Sequence, residues 1–135
     1  MNLSETDYSR LYLLQDKFLS WFHTLNYPFY LTGGTALGRF YLNHRFSEDL
    51  DFFVNNDPDY TSYIGEVKNK ITSQFSVNID QSLFDKGYTR FFIWEDDLSL
   101  KIELINDVSY YAGKPADYSY GKVDNPINIL ANKLT

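Results

Sequence analysis

Two neighbouring segments, Leu31-Thr32-Gly33-Gly34-Thr35-Ala36-Leu37 and His44-Arg45-Phe46-Ser47-Glu48-Asp49-Leu50-Asp51-Phe52, decide how this chain is read. Phe29-Tyr30-Leu31 is a short apolar run that predicts a buried strand, ended by Gly33-Gly34. A helix is predicted from Thr35 to Asn43, with Leu37, Phe40 and Tyr41 toward the core. Asp49-Leu50-Asp51-Phe52-Phe53-Val54 then alternates with a period of two. On a strand this sends both carboxylates to one face, and Leu50 and Phe52 to the other. Asn55-Asn56-Asp57-Pro58 breaks the strand.

Upstream, Leu11, Leu14, Phe18, Trp21, Phe22 and Leu25 recur at three- and four-residue steps and predict an amphipathic helix. Ser4 with Asp7 is its start signal, and Asn26 and Pro28 end it. Downstream, Ile64, Val67, Ile71 and Phe75 share the face of a helix predicted over Tyr60 to Phe75. The period then falls to two. Val77 to Phe84, Tyr88 to Trp94 and Leu98 to Ile105 read as three strands of an antiparallel meander, turning at Asp85-Lys86-Gly87 and at Asp96-Asp97. Ser109 to Asp124, rich in Tyr, Gly and Asp, reads as a loop, and Asn125-Pro126 as the start of a last helix.

At 135 residues the chain is one domain, and its 44% hydrophobic and 22% charged residues are the composition of a folded globular protein. It contains no cysteine, which excludes disulfides, thiolate metal sites and thiol catalysis. No apolar run approaches the length of a membrane span, and Met1 to Arg10 do not form a signal peptide. The expected location is therefore cytoplasmic, with no membrane partner. A net charge of −6 argues against holding nucleic acid by bulk electrostatics. Clustered acidic residues would instead attract a divalent cation.

Gly33-Gly34-Thr35, between a strand and a helix, is either a plain turn or a place where a phosphate approaches unpaired amides. It is not a P-loop: Gly33 and Gly38 have the right separation, but Arg39-Phe40 stand where Lys and Ser/Thr are required. Asp49 and Asp51 are either a solvated acidic strand or a pair needing a positive neighbour, for which oxygen-only ligation suits Mg²⁺ or Mn²⁺. Glu103 lies in Leu100-Lys101-Ile102-Glu103-Leu104. It shares the outer face with Lys101, either as a surface ion pair or as the third carboxylate of a metal site. His23 and His44 lack metal spacing, and no Ser/His/Asp ordering marks a nucleophile.

Taken together, helix, strand, Gly-Gly, helix, D-x-D strand and a later h-E-h strand resemble the DNA polymerase β-like nucleotidyltransferase superfamily. The G-G-T-A-L run from Gly33 and the run from His44 to Phe52 resemble the AbiEii/AbiGii toxin family. The likeness is dense from Phe29 to Val54 and looser over Lys101 to Leu104 and Ala131 to Leu134. It implies an α+β nucleotidyltransferase domain over residues 1–135, a mixed twisted sheet with helices on one face and the carboxylates on the other. It further implies that Asp49, Asp51 and Glu103 bind metal and carry catalysis. Gly33, Gly34, Thr35, Arg45, Ser47 and Lys133 then contact nucleotide.

The implied reaction moves an NMP from an NTP to an acceptor hydroxyl with Mg²⁺ or Mn²⁺, releasing pyrophosphate. The implied setting is the toxin of a type IV toxin–antitoxin or abortive-infection system, with RNA such as tRNA as acceptor and an antitoxin protein as partner. The family continues into a helical region, which is expected to be absent or truncated here after Lys133. A non-catalytic nucleotide-binding or interaction module with the same fold, and a small-molecule (antibiotic-type) nucleotidyltransferase, are the alternatives.

Overall fold

The computed structural model describes residues 5–32, 49–78, 82–107, 116–118 and 121–123. Helix α1 (Glu5–Thr24) forms over the predicted apolar periodicity and buries Leu11, Leu14, Phe18, Leu19 and Phe22. It ends as Asn26 takes a left-handed conformation (φ 59°), which Asn tolerates better than most residues. The proposed start signal at Ser4 lies outside the described residues.

Strand β1 (Tyr30–Thr32) pairs antiparallel with β2 (Asp49–Asn55), which shows the alternating burial expected of its sequence. Helix α2 (Tyr60–Ile71) follows, burying Tyr60, Ile64, Val67 and Ile71. It stops four residues short of the predicted Phe75. The Ser73 hydroxyl donates to the Lys70 carbonyl (2.8 Å), a local bond that competes with helix continuation, although the Phe75 amide still reaches the Ile71 carbonyl (2.9 Å).

The predicted strand from Val77 to Phe84 is instead two short ones, β3 (Ser76–Val77) and β4 (Leu83–Asp85). Both pair antiparallel with β5 (Tyr88–Glu95). The β5–β6 hairpin turns at Asp96 (φ 56°) into β6 (Leu98–Asp107), and the β4–β5 turn uses Gly87 (φ 84°), both where the sequence placed them.

A further prediction is overturned. Ser109 to Asp124 is not all loop, because β7 (Ala116–Tyr118) and β8 (Gly121–Val123) form a hairpin within it, and β8 pairs parallel with β1. Three-residue strands carry almost no periodicity, and a distant sheet edge fixes their state. The helices expected at Thr35 to Asn43 and from Asn125 lie outside the described residues.

The mixed sheet runs β3-β5-β6-β2-β1-β8-β7, with β4 also on β5. The β2–β6 and β1–β8 pairings are parallel and the others antiparallel. Both described helices lie on one face. Phe18 of α1 packs against Phe52 and Phe91 at ring-centroid distances of 6.0 and 6.2 Å. Tyr60 of α2 donates to the Leu104 carbonyl (2.5 Å) and lies 3.0 Å from Thr89 Oγ1. Lys17–Glu95 (2.6 Å) and Arg10–Asp97 (3.1 Å) tie α1 to the β5–β6 turn. The α+β architecture expected from sequence is the one observed.

Candidate active site

The strands that send Leu50, Phe52, Phe91, Ile102 and Leu104 into the core send the intervening residues to the opposite face. The register orders that face in rows. One row runs Arg90 (β5), Glu103 (β6), Asp51 (β2) and Thr32 (β1), and the next runs Phe92, Lys101 and Asp49. Residues far apart in sequence thus bring all three predicted carboxylates onto two neighbouring strands. Asp51 and Glu103 are cross-strand partners. Thr32, buried and paired with Asp51, is the residue before Gly33 in the sequence.

Lys101 joins the carboxylates. Its Nζ lies 3.3 Å from Asp49 Oδ2 and 3.2 Å from Glu103 Oε1. Burial works against charging this ammonium. The hydrogen bond to Glu103 and the charge and hydrogen bond of Asp49 outweigh burial and raise its pKa. Tyr88 Oη donates to the other Glu103 oxygen, and that bond, more than burial, holds the phenol pKa up. Asp51 is the costly member. Burial first, then the charges of Glu103 and Asp49, push its pKa from 3.8 to about 6, with Lys101 opposing.

Carboxylate oxygens are the donors that hard divalent cations take, and a cation here would remove the charging cost at Asp51. The donor chemistry therefore fits Mg²⁺ or Mn²⁺. Among the described residues, no group of three or more His, Asp or Glu side chains is gathered closely enough to hold a metal ion as it stands. Glu103 is held by Tyr88 and Lys101 instead.

Asp49, Asp51 and Glu103 are thus brought together on one face. Gly33, Gly34, Thr35, Arg45, Ser47 and Lys133 lie outside the described residues. Sequence reasoning missed Tyr88, Arg90 and the reach of Lys101 to Asp49. The period of two put Tyr88 and Arg90 on a shared face of β5, but only the β5–β6 register carries them to Glu103. Among the described residues, no helix is long and apolar enough to cross a membrane.

The family described as "Nucleotidyl transferase AbiEii toxin, Type IV TA system" matches residues 17–117. No curated protein matches the chain. Among solved structures, a Helicobacter pylori protein assigned as a candidate nucleotidyltransferase is similar, with a TM-score of 0.66 and 24% identity over 98% of this chain and 59% of its own. JHP933 from Helicobacter pylori is similar with a TM-score of 0.64 and 23% identity, over 98% of this chain and 58% of its own. MenT4, a nucleotidyltransferase toxin of Mycobacterium tuberculosis, gives a TM-score of 0.62 and 19% identity, over 95% and 52%. At these identities the likeness is one of fold, and the chain spans between half and three-fifths of the length of each structure. The family match covers most of the chain and includes the carboxylate face: the chain belongs to the AbiEii nucleotidyltransferase toxin family.

Proposed function

We propose that this chain carries the site of a metal-dependent nucleotidyltransferase that moves an NMP from an NTP to an acceptor hydroxyl, releasing pyrophosphate. The acceptor is RNA such as tRNA, and the setting is the toxin half of a type IV toxin–antitoxin pair. The observation that carries this reading is the pairing of Asp51 with Glu103 across β2 and β6, with Asp49 one row away on the same face. The acceptor, the metal and the antitoxin partner come from the family and not from the geometry.

In this reading Asp49, Asp51 and Glu103 would hold Mg²⁺ or Mn²⁺. The cation would neutralise the triphosphate and make the acceptor hydroxyl a better nucleophile. The chain's own part is positioning. Tyr88 fixes one Glu103 oxygen, and Lys101 keeps Asp49 and Glu103 oriented toward one another. Nucleotidyl transfer needs placement and charge neutralisation more than a protein nucleophile, which suits a face with neither Cys nor His among the described residues. Gly33, Gly34, Thr35, Arg45, Ser47 and Lys133 are proposed to contact the nucleotide, on family resemblance alone.

Lys101 favours one second reading, a non-catalytic module in which an internal ammonium takes the cation's place. Incubation of the purified protein with Mn²⁺, RNA and α-labelled NTPs separates the two. Metal-dependent label on RNA with release of pyrophosphate supports transfer. Neither product with any of the four NTPs would overturn it.

A further inference from the structure

The outer face of β5 carries more than the Arg90 already placed beside Glu103. Thr89, Phe91 and Ile93 point into the core, so Arg90, Phe92 and Trp94 project to the carboxylate face. Phe92 is 38% and Trp94 44% exposed, among the few large hydrophobic side chains left open to solvent among the described residues. The register sets Phe92 opposite Lys101, Trp94 opposite Ser99 and Arg90 opposite Glu103. The strip is therefore one strand from Glu103 and two from Asp49 and Asp51, about 5 and 10 Å across the sheet.

We infer that Arg90, Phe92 and Trp94 form the seat for a single-stranded segment of the polynucleotide acceptor, with bases stacked on the two rings and a phosphate at Arg90. This deepens the transfer reading and rests on it. Alternate residues of a strand stand about 6.7 Å apart, close to twice a stacking distance, so spacing alone allows one base between the two rings or one base on each. Sheet faces recognise single strands by stacking unstacked bases on such exposed rings. The notch of about 40 Å³ between Asn78, Ser82, Phe92 and Trp94 has room for water but not for a base, so bases lie on the ring faces.

Charge sets the character of this binding. With a net charge of −6, the chain is poorly suited to gain affinity by neutralising many phosphates. Stacking does not need that charge, and Arg90 adds one cationic contact. A single-stranded acceptor thus binds with a shallow salt dependence, with a slope near −0.7 for one phosphate. Continuity with the carboxylates is what separates this strip from an ordinary protein-docking patch. The strip starts with Arg90 in the Asp51–Glu103 row and runs about 13 Å along β5 to Trp94, so a strand seated on it leads to the carboxylates.

The test is anisotropy of a labelled single-stranded oligoribonucleotide, in chelator so that no transfer occurs. The wild-type chain is compared with Phe92→Ala, Trp94→Ala, Trp94→Tyr and Arg90→Gln, and near-ultraviolet circular dichroism checks that each is folded. Each ring-to-alanine change is expected to weaken binding about tenfold, Trp94→Tyr to keep most of the affinity, and Arg90→Gln to flatten the salt slope. The same sequence as a duplex is expected to compete poorly. Wild-type affinity in the folded Phe92→Ala/Trp94→Ala double variant would overturn the inference, as would no binding by the wild type. Loss of antitoxin binding with oligonucleotide affinity intact would show the strip to be a protein interface instead. Failure of nucleotide transfer with oligonucleotide binding intact would strike the proposed reaction and leave this strip standing.

Discussion

Asp51 on β2 and Glu103 on β6 face one another across a parallel strand pair, so two carboxylates occupy cross-strand positions on a partly buried face. Like charges so placed repel, and burial removes the water that would screen them. Lys101 meets part of that cost through Asp49 and Glu103. Asp51 retains the rest, as its raised pKa of about 6 records.

Removing this charge should stabilise the metal-free protein. A folded pKa of about 6 against an ordinary 3.8 means that the folded state binds more protons between those values. The penalty is full above pH 6 and disappears as pH falls toward 3.8. Two units correspond to about 3 kcal/mol, which partial exposure reduces to about 1–2 kcal/mol. Asp51→Asn is therefore expected to be more stable than wild type in urea with chelator at pH 7.5, and equal to it near pH 4. A gain that persists at pH 4 would locate the effect in packing and not in charge.

Lys101→Met separates the internal ammonium from an external cation. Its ion pairs are partly exposed, so the metal-free variant should lose no more than about 1 kcal/mol at neutral pH. Three carboxylates without their ammonium should bind Mn²⁺ several-fold more tightly than wild type does. Calorimetric titration that finds unchanged or weaker Mn²⁺ binding would mean that Lys101 does not compete with metal.

Tyr88→Phe deletes the hydroxyl that holds Glu103 and keeps the ring. One hydrogen bond is worth about 0.5–1.5 kcal/mol in stability, a modest loss. If Tyr88 positions Glu103, transfer by the variant should need a higher Mn²⁺ concentration while the KM for NTP at saturating metal stays near wild type. A fall in stability with no change in the metal profile would leave Tyr88 a purely structural residue.

Helix α1 offers a contrast within one element. Phe18 is fully buried and meets Trp21, Phe22, Phe52, Phe75 and Phe91 at 5.3–6.2 Å between ring centroids. Phe18→Ala should cost about 3–5 kcal/mol. Leu13, 61% exposed on the same helix, should tolerate alanine within about 0.5 kcal/mol. Chemical denaturation of both variants checks the pair, and similar losses would contradict the packing described.

The sequence made α1, α2, β2, β5 and β6 legible, because each is long enough for its apolar period to show. Turn residues such as Asn26, Gly87 and Asp96 mark where α1 ends, β5 begins and β5 gives way to β6. Strands β7 and β8 were hidden, since three residues carry no period and β8 exists by pairing with β1. The division of the strand before β5 into β3 and β4 was hidden too, because alternation gives a face but not where pairing stops. The same limit governs the site. Alternation placed Asp49 with Asp51 and Lys101 with Glu103, each within its own strand. That Asp51 faces Glu103, that Lys101 reaches Asp49 and that Tyr88 reaches Glu103 are facts of register between strands.

The central claim, that the carboxylates of β2 and β6 bind a triphosphate through divalent metal, is tested most directly by calorimetric titration of NTP into the wild-type protein and Asp51→Asn, each in Mn²⁺ and in chelator. Three carboxylates repel a triphosphate until metal reverses the local sign. The account predicts that Mn²⁺ tightens wild-type NTP binding by at least about tenfold, equivalent to 1.4 kcal/mol, and that Asp51→Asn loses most of this gain. Equal wild-type affinity with and without metal, or a metal-dependent gain left intact in folded Asp51→Asn, would contradict it.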